Sequence, residues 1–204
     1  MKRALVLSLI MIVAFNFSSC KSDKKTESIQ KTEVKKEFSV ADAKNEINFT
    51  AYKTSEKIPV RGKFNKVDVI ANGDGNSIKE AINNIEFSIP VSSIFTKDTS
   101  RDFKIKKFFF GVMDNTKLLS GKLVIENDTL GYANIKMNGI TEKIAFTYSI
   151  SKKTFSMNSI MDLDKWNASN AVNSLNLECK DLHKGTDGVS KTWNEVALNI
   201  KTTF

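Results

Sequence analysis

A chain of 204 residues with 41% hydrophobic and 26% charged content has room for one medium globular domain with its own core. Lys and Arg outnumber Asp and Glu by 31 to 23, a formal charge of +8, but the excess is spread over solvated runs rather than one stripe, which argues against a nucleic-acid partner. Aromatic surface is mostly plain ring, 14 Phe against 2 Trp and 3 Tyr, and suits an apolar interior.

Met1–Ser19 has the order of a secretory signal peptide: Lys2 and Arg3, the apolar run Ala4–Phe15, then Ser18 and Ser19. That run is too short for a stable transmembrane span. Phe17-Ser18-Ser19-Cys20 resembles a bacterial lipobox, so Cys20 is the expected lipidation site and membrane anchor. Residues 20–42 are rich in Lys, Glu, Ser and Thr and read as a flexible tether that cannot collapse into a core. Lys21 rather than Asp follows the cysteine, which by resemblance to sorting rules points away from inner-membrane retention. The expected location is the cell envelope, at the outer membrane facing the periplasm. With Cys20 lipidated, Cys179 has no disulfide partner and is expected as a free, buried thiol.

The domain proper is expected over 43–204. Ile47, Phe49 and Ala51 alternate with Asn48, Thr50 and Tyr52, the period of a half-buried strand. Ile58–Ala71 follows, with Val60, Gly62 and Phe64 on one face; Gly62 predicts a bend or a close backbone approach. Asn72–Asn76 is a turn, and Ile85, Phe87, Ile89 and Val91 mark a strand that Pro90 places at an edge or at its end. Thr96–Asn115 then breaks the alternation. Asp98, Thr99 and Ser100 are helix N-cap types and Asp102 falls in the first turn of a short helix. Its rings and its cations Arg101, Lys104, Lys106 and Lys107 suit a rim, aromatics turned in over a cavity and charges outward or toward an acidic guest; the bland alternative is a plug.

Beyond the rim, Lys117–Glu126 and Thr129–Met137 form a hairpin about Asn127-Asp128, and Asn138-Gly139 is a tight turn into Lys143–Ser151. Lys152-Lys153 leads into Thr154–Leu163. Trp166–Leu177 has helical spacing at Ala168, Ala171, Val172 and Leu175, with Asn167 as N-cap. After the loop His183–Gly188, Thr192–Thr203 alternates to the end. The total is an all-β chain of about eight strands in hairpin order with two short helical segments. It closes most naturally into an antiparallel barrel, in preference to a sandwich, whose interior holds side chains or one small ligand.

Several stretches together resemble the YceI-like family of bacterial lipid-binding proteins. Val60-Arg61-Gly62-Lys63-Phe64 is similar to its early valine-glycine-phenylalanine strand, and Arg101-Asp102 followed by Phe108-Phe109 to its arginine-aspartate helix and paired phenylalanines. Asn138-Gly139-Ile140-Thr141 resembles its glycine-threonine hairpin, with Asn138 where many members have histidine, and Leu182–Trp193 into Glu195–Thr203 resembles its closing strand. The usual run of acidic residues before the helix is missing. The resemblance implies a lipocalin-like barrel with an apolar tunnel for a polyisoprenoid chain or isoprenoid quinone. On that reading the tail lies along Phe49, Phe64, Phe87, Ile89, Phe103, Phe108, Phe109, Phe146 and Leu198, and Arg101 or the nearby lysines hold a quinone head or diphosphate at the mouth.

Competing readings are phenylalanines that simply fill the barrel, a small outer-membrane barrel with its apolar faces outward, and an enzyme for an apolar substrate that uses His183 or Asp102. No nucleophile elbow or phosphate loop is present, and Glu178-Cys179…Asp181…His183 lacks paired metal-ligand spacing, so neither catalysis nor a metal is expected. No cofactor is expected beyond a bound isoprenoid lipid, and a homodimer is left open.

Overall fold

The computed structural model describes residues 36–204, so the signal peptide, Cys20 and all of the expected tether up to residue 35 lie outside the described residues. The strands are β1 (Phe38–Ser39), β2 (Lys44–Lys53), β3 (Ile58–Phe64), β4 (Asp68–Ala71), β5 (Asp74–Gly75) and β6 (Glu86–Pro90). They continue with β7 (Ile94–Phe95), β8 (Leu118–Ile125), β9 (Leu130–Met137), β10 (Ile140–Ser151), β11 (Thr154–Asp162) and β12 (Thr192–Thr203). The α-helices are α1 (Ile78–Ile82), α2 (Thr99–Lys104) and α3 (Ser169–Glu178).

One antiparallel sheet takes up ten of these strands in the order β4-β6-β8-β9-β10-β11-β12-β2-β3-β7. Two pairs in that order are halves of single chain runs. β3 and β4 are separated only by residues 65–67, and β6 and β7 only by the 3-10 turn Val91–Ser93, which follows Pro90 where the ladder loses a donor. Since β4 pairs with β6 and β3 with β7, the two runs lie against each other, and the Asn65 N–H donates to the Ser93 carbonyl at 2.9 Å across the break. Counted as runs there are eight, and the pairing returns to where it began. The fold is the expected all-β one, a curled antiparallel sheet with short helices at its ends.

Local chemistry sets the connections. Asn138 and Gly139 take φ of 51° and 71° between β9 and β10, the positive values a two-residue hairpin turn needs. Asp98 caps α2 as expected, its carboxylate accepting the Arg101 N–H at 3.0 Å. Asp102 occupies the first turn but is buried, accepting the Thr96 N–H at 2.8 Å and the Thr96 hydroxyl at 2.7 Å, which pins the helix to the chain leaving β7. α2 runs on into a π-helical turn, Ile105–Phe109, and a 3-10 turn, Phe110–Val112.

The second helical segment differs from its expected form. It begins as a 3-10 turn, Leu163–Trp166, and Asn167 is not an N-cap: at φ 52° it is the left-handed link to α3, whose N-cap position holds Ala168. Trp166 is fully buried there, its indole N–H donating to the Ile135 carbonyl at 2.9 Å. α1 was not foreseen. It starts from a reciprocal cap in which Ser77 Oγ accepts the Glu80 N–H at 3.2 Å and Glu80 accepts the Asn76 N–H at 2.8 Å. The chain also joins the fold ahead of residue 43: β1 pairs with β5, Val40 is buried, and Phe38 packs edge-on against Phe204 at 5.4 Å.

Candidate functional site

Inward positions along β2 and β12 trace one axis. Asn45 and Thr202 line a blind end of about 70 Å³, closed by Val40, Ile82 and Ile85. Ile47, Phe49 and Ala51 on β2, facing Val196, Leu198 and Ile200 on β12, line a central space of about 170 Å³. Lys53 and Thr192 reach a third space of about 190 Å³ beneath α2 and the end of α3. Neighbouring spaces share walls: Ile47, Phe87, Ile89, Leu198 and Ile200 between the first two, Ala51, Ile105, Leu175 and Thr192 between the last two. The three spaces follow one another parallel to the strands, over roughly 26 Å at about 3.3 Å per residue from Asn45 to Lys53, the first two lined almost wholly by apolar side chains.

Rings would be expected to plug so narrow a tube, and cross-strand glycines explain why they do not. Phe49 pairs with Gly62, Phe87 with Gly121 and Phe146 with Gly131. At each glycine a Cβ would run into the phenyl ring opposite. The rings therefore lie down along the wall over a bare backbone rather than reaching across the lumen. The close approach expected at Gly62 is this one.

Of the residues singled out in the sequence, Phe49, Phe64, Phe87, Ile89, Phe109 and Leu198 line the central space, and Arg101 lines the mouth. Three do not line the tunnel. Phe103 is 55% exposed on the outer side of α2, and Phe108 lies beside it, with Lys107 Nζ 5.4 and 5.0 Å from the two ring centroids. Successive side chains on a helical winding point in different directions, so three rings in a row cannot share one face: Phe109 and Phe110 turn inward and Phe108 does not. Phe146 points inward but is 2% exposed, sealed between Gly131 and Tyr148, so it fills core instead of lining open space. Missed altogether were Met161, Val172, Leu175 and Trp193. The helical spacing of Val172 and Leu175 was visible, but not that this face closes the central space.

The mouth has a different chemistry. Lys53, Arg101 and Lys104 line it together with Asp98, Cys179 and His183. His183 Nδ1 lies 2.7 Å from Thr192 Oγ1, and the Thr192 hydroxyl donates to Asn176 Oδ1 at 2.9 Å. Thr192 thus accepts from the imidazole, which puts the proton on Nδ1 and leaves Nε2 with a free lone pair. Burial, together with Lys53, Lys104 and Arg101, pushes the His183 pKa down to about 4. Burial also raises the Cys179 thiol above its usual range, and the side chain is buried, as expected; among the described residues it has no disulfide partner. Among the described residues no group of three His, Cys, Asp or Glu side chains is placed to hold a metal.

Solved structures of similar shape share this architecture. A polyisoprenoid binding domain from Saccharophagus degradans, implicated in plant cell wall breakdown, aligns with a TM-score of 0.57 at 10% identity, over 79% of this chain and 95% of that one. BcnA of Burkholderia cenocepacia aligns with a TM-score of 0.52 at 13% identity, over 78% and 96% of the two chains. At such identities the likeness is one of fold. No curated protein matches the chain in sequence. The family model of the YceI-like domain matches residues 38–204, from the first short strand to the last residue of the barrel, and the chain belongs to the YceI-like family.

Proposed function

We propose that this protein binds an isoprenoid-type lipid, a polyprenyl chain or isoprenoid quinone, as an envelope lipoprotein anchored through Cys20, and that it is a carrier or reservoir rather than an enzyme. One observation carries this reading: the file of spaces, apolar for most of its length, that leads from Asn45 and Thr202 to a mouth at Lys53 and Thr192. Each methylene transferred from water into such a space is worth about 0.8 kcal/mol, so a long tail needs few polar contacts. The name of the Saccharophagus degradans domain supports the ligand class. The inverted arrangement of a transmembrane barrel has the opposite polarity: here Ile144, Phe146 and Tyr148 of β10 are buried while Thr141, Lys143, Thr147 and Ser149 face outward.

Native mass spectrometry of the full-length protein purified from its host, followed by organic extraction, tests the proposal. A polyprenyl lipid should be recovered at one per chain. Ala51 stands where the mouth meets the central space, so Ala51→Trp should lower that occupancy at least tenfold while the circular dichroism of the barrel is kept. A wild-type domain that is empty and also refuses added quinone and added polyprenyl lipid would overturn it.

A further inference from the structure

The tunnel reading names a tail but leaves the head open, and the mouth bears on that choice. Two separate elements bring cations to one pocket: Lys53 from the end of β2, Arg101 and Lys104 from α2. Few carboxylates answer them. Asp98 lies 3.5 Å from Arg101 but is committed to capping α2, and Glu178 sits 3.7 Å from Lys104 at the rim. Asp102, next in sequence to Arg101, is turned away onto Thr96. Among the described residues no carboxylate pairs with Lys53, whose ammonium makes one hydrogen bond, to the Leu182 carbonyl at 2.9 Å.

We propose that the mouth is an anion subsite, so that the ligand is a long-chain amphiphile with a phosphate or carboxylate head rather than a neutral quinone or alcohol. This rests on the tunnel being a lipid site. Three cations facing two carboxylates leave a net positive charge around a partly enclosed space, and a guest of opposite sign lowers that energy further. A neutral head would displace the same water and accept only ordinary hydrogen bonds from the ammonium and guanidinium groups, weaker than the charge-assisted ones an anion makes. Arg101 supplies the planar fork that matches phosphate or carboxylate oxygens, while Lys53 and Lys104 act as point charges on either side. Ala51 lies two positions along β2 from Lys53 and already faces the central space, so a head held by these cations delivers its tail directly into the tunnel. His183 fits the same picture. Burial first, and then the three cations, hold it neutral, and with Nδ1 engaged by Thr192 Oγ1 the nitrogen left for a guest is Nε2.

The test is displacement of a fluorescent lipid from the full chain by pairs of competitors with matched tails: a polyprenyl phosphate against its polyprenol, and a fatty acid against its alcohol. The anionic member of at least one pair should bind ten-fold or more tightly, and only its affinity should weaken as salt is raised. Which pair discriminates tells phosphate from carboxylate. Lys53→Gln and Arg101→Gln should each reduce the anionic member's affinity several-fold more than the alcohol's. Equal affinity within both pairs, without salt dependence, overturns the anion subsite alone. Failure of every competitor to bind overturns the tunnel reading and this inference with it. The wild-type salt series needs no variant, so a poorly folding substitution does not remove the test.

Discussion

The blind end and the mouth are built from the same strands, yet they are finished differently. Where β2 begins and β12 ends, the interior is packed: Phe155 and Met157 are each 1% exposed and Ile82 of α1 is 2% exposed. At the other end of these strands, Lys53, Thr192 and the helical segments leave half-buried side chains around open space. Alternation supplies an apolar inner wall throughout. The difference comes from the caps, a short helix that drives Ile78 and Ile82 into the lumen at one end and a helical lid bearing cations at the other. Apolar packing is concentrated in the first and ionisable groups in the second.

Substitutions can break that division of labour. The largest effect is expected at the packed end, where Phe155→Ala removes a fully buried ring and should cost about 3–5 kcal/mol in urea unfolding. Head-group preference should survive in the fraction that remains folded; loss of preference would show that the ends are not independent. Next comes Gly62→Ala. The added methyl displaces the Phe49 ring from the wall into the tunnel, an overpacking worth about 1–3 kcal/mol. Its signature is a greater loss of affinity for long tails than for short ones, and equal losses would mean the ring never moved inward.

The smallest effect is a titration at the mouth. The folded His183 pKa of about 4 lies below the ordinary 6.5, so between these values the unfolded chain binds more protons. His183 therefore does not penalise the fold above about pH 6.5, and stability falls as pH drops from there toward 4. His183→Gln should flatten that part of the stability curve in the ligand-free protein, measured as urea midpoint against pH. An unchanged slope would place the titration elsewhere.

Much of this architecture is legible in the residues themselves. Ile47-Phe49-Ala51 and Val196-Leu198-Ile200 announce their inward face by period alone, and Asp98 announces α2 by its capping chemistry. The misses have physical reasons. Ser77 and Glu80 carried the cap of α1, but five residues are too few to show a helical period amid turn residues. Three successive phenylalanines give no phase of their own, and because neighbours on a helical winding point in different directions, Phe108 and Phe109 part company. Phe146 and Phe49 follow the same rule, inward and opposite a glycine, and whether such a ring lines space or fills it depends on neighbours from other strands. The cationic mouth was half visible: Arg101 and Lys104 stand together in the sequence, whereas Lys53 and His183 arrive from far along the chain.

The pairing of Phe38 with Phe204 brings the first short strand and the last residue to one end of this vessel. Both residues sit at its base, with Val40 and Thr202 forming the floor, while the opening is at the far rim. A probe placed on either ring would therefore report on the foot, as on the stem of a goblet, and leave the brim undisturbed.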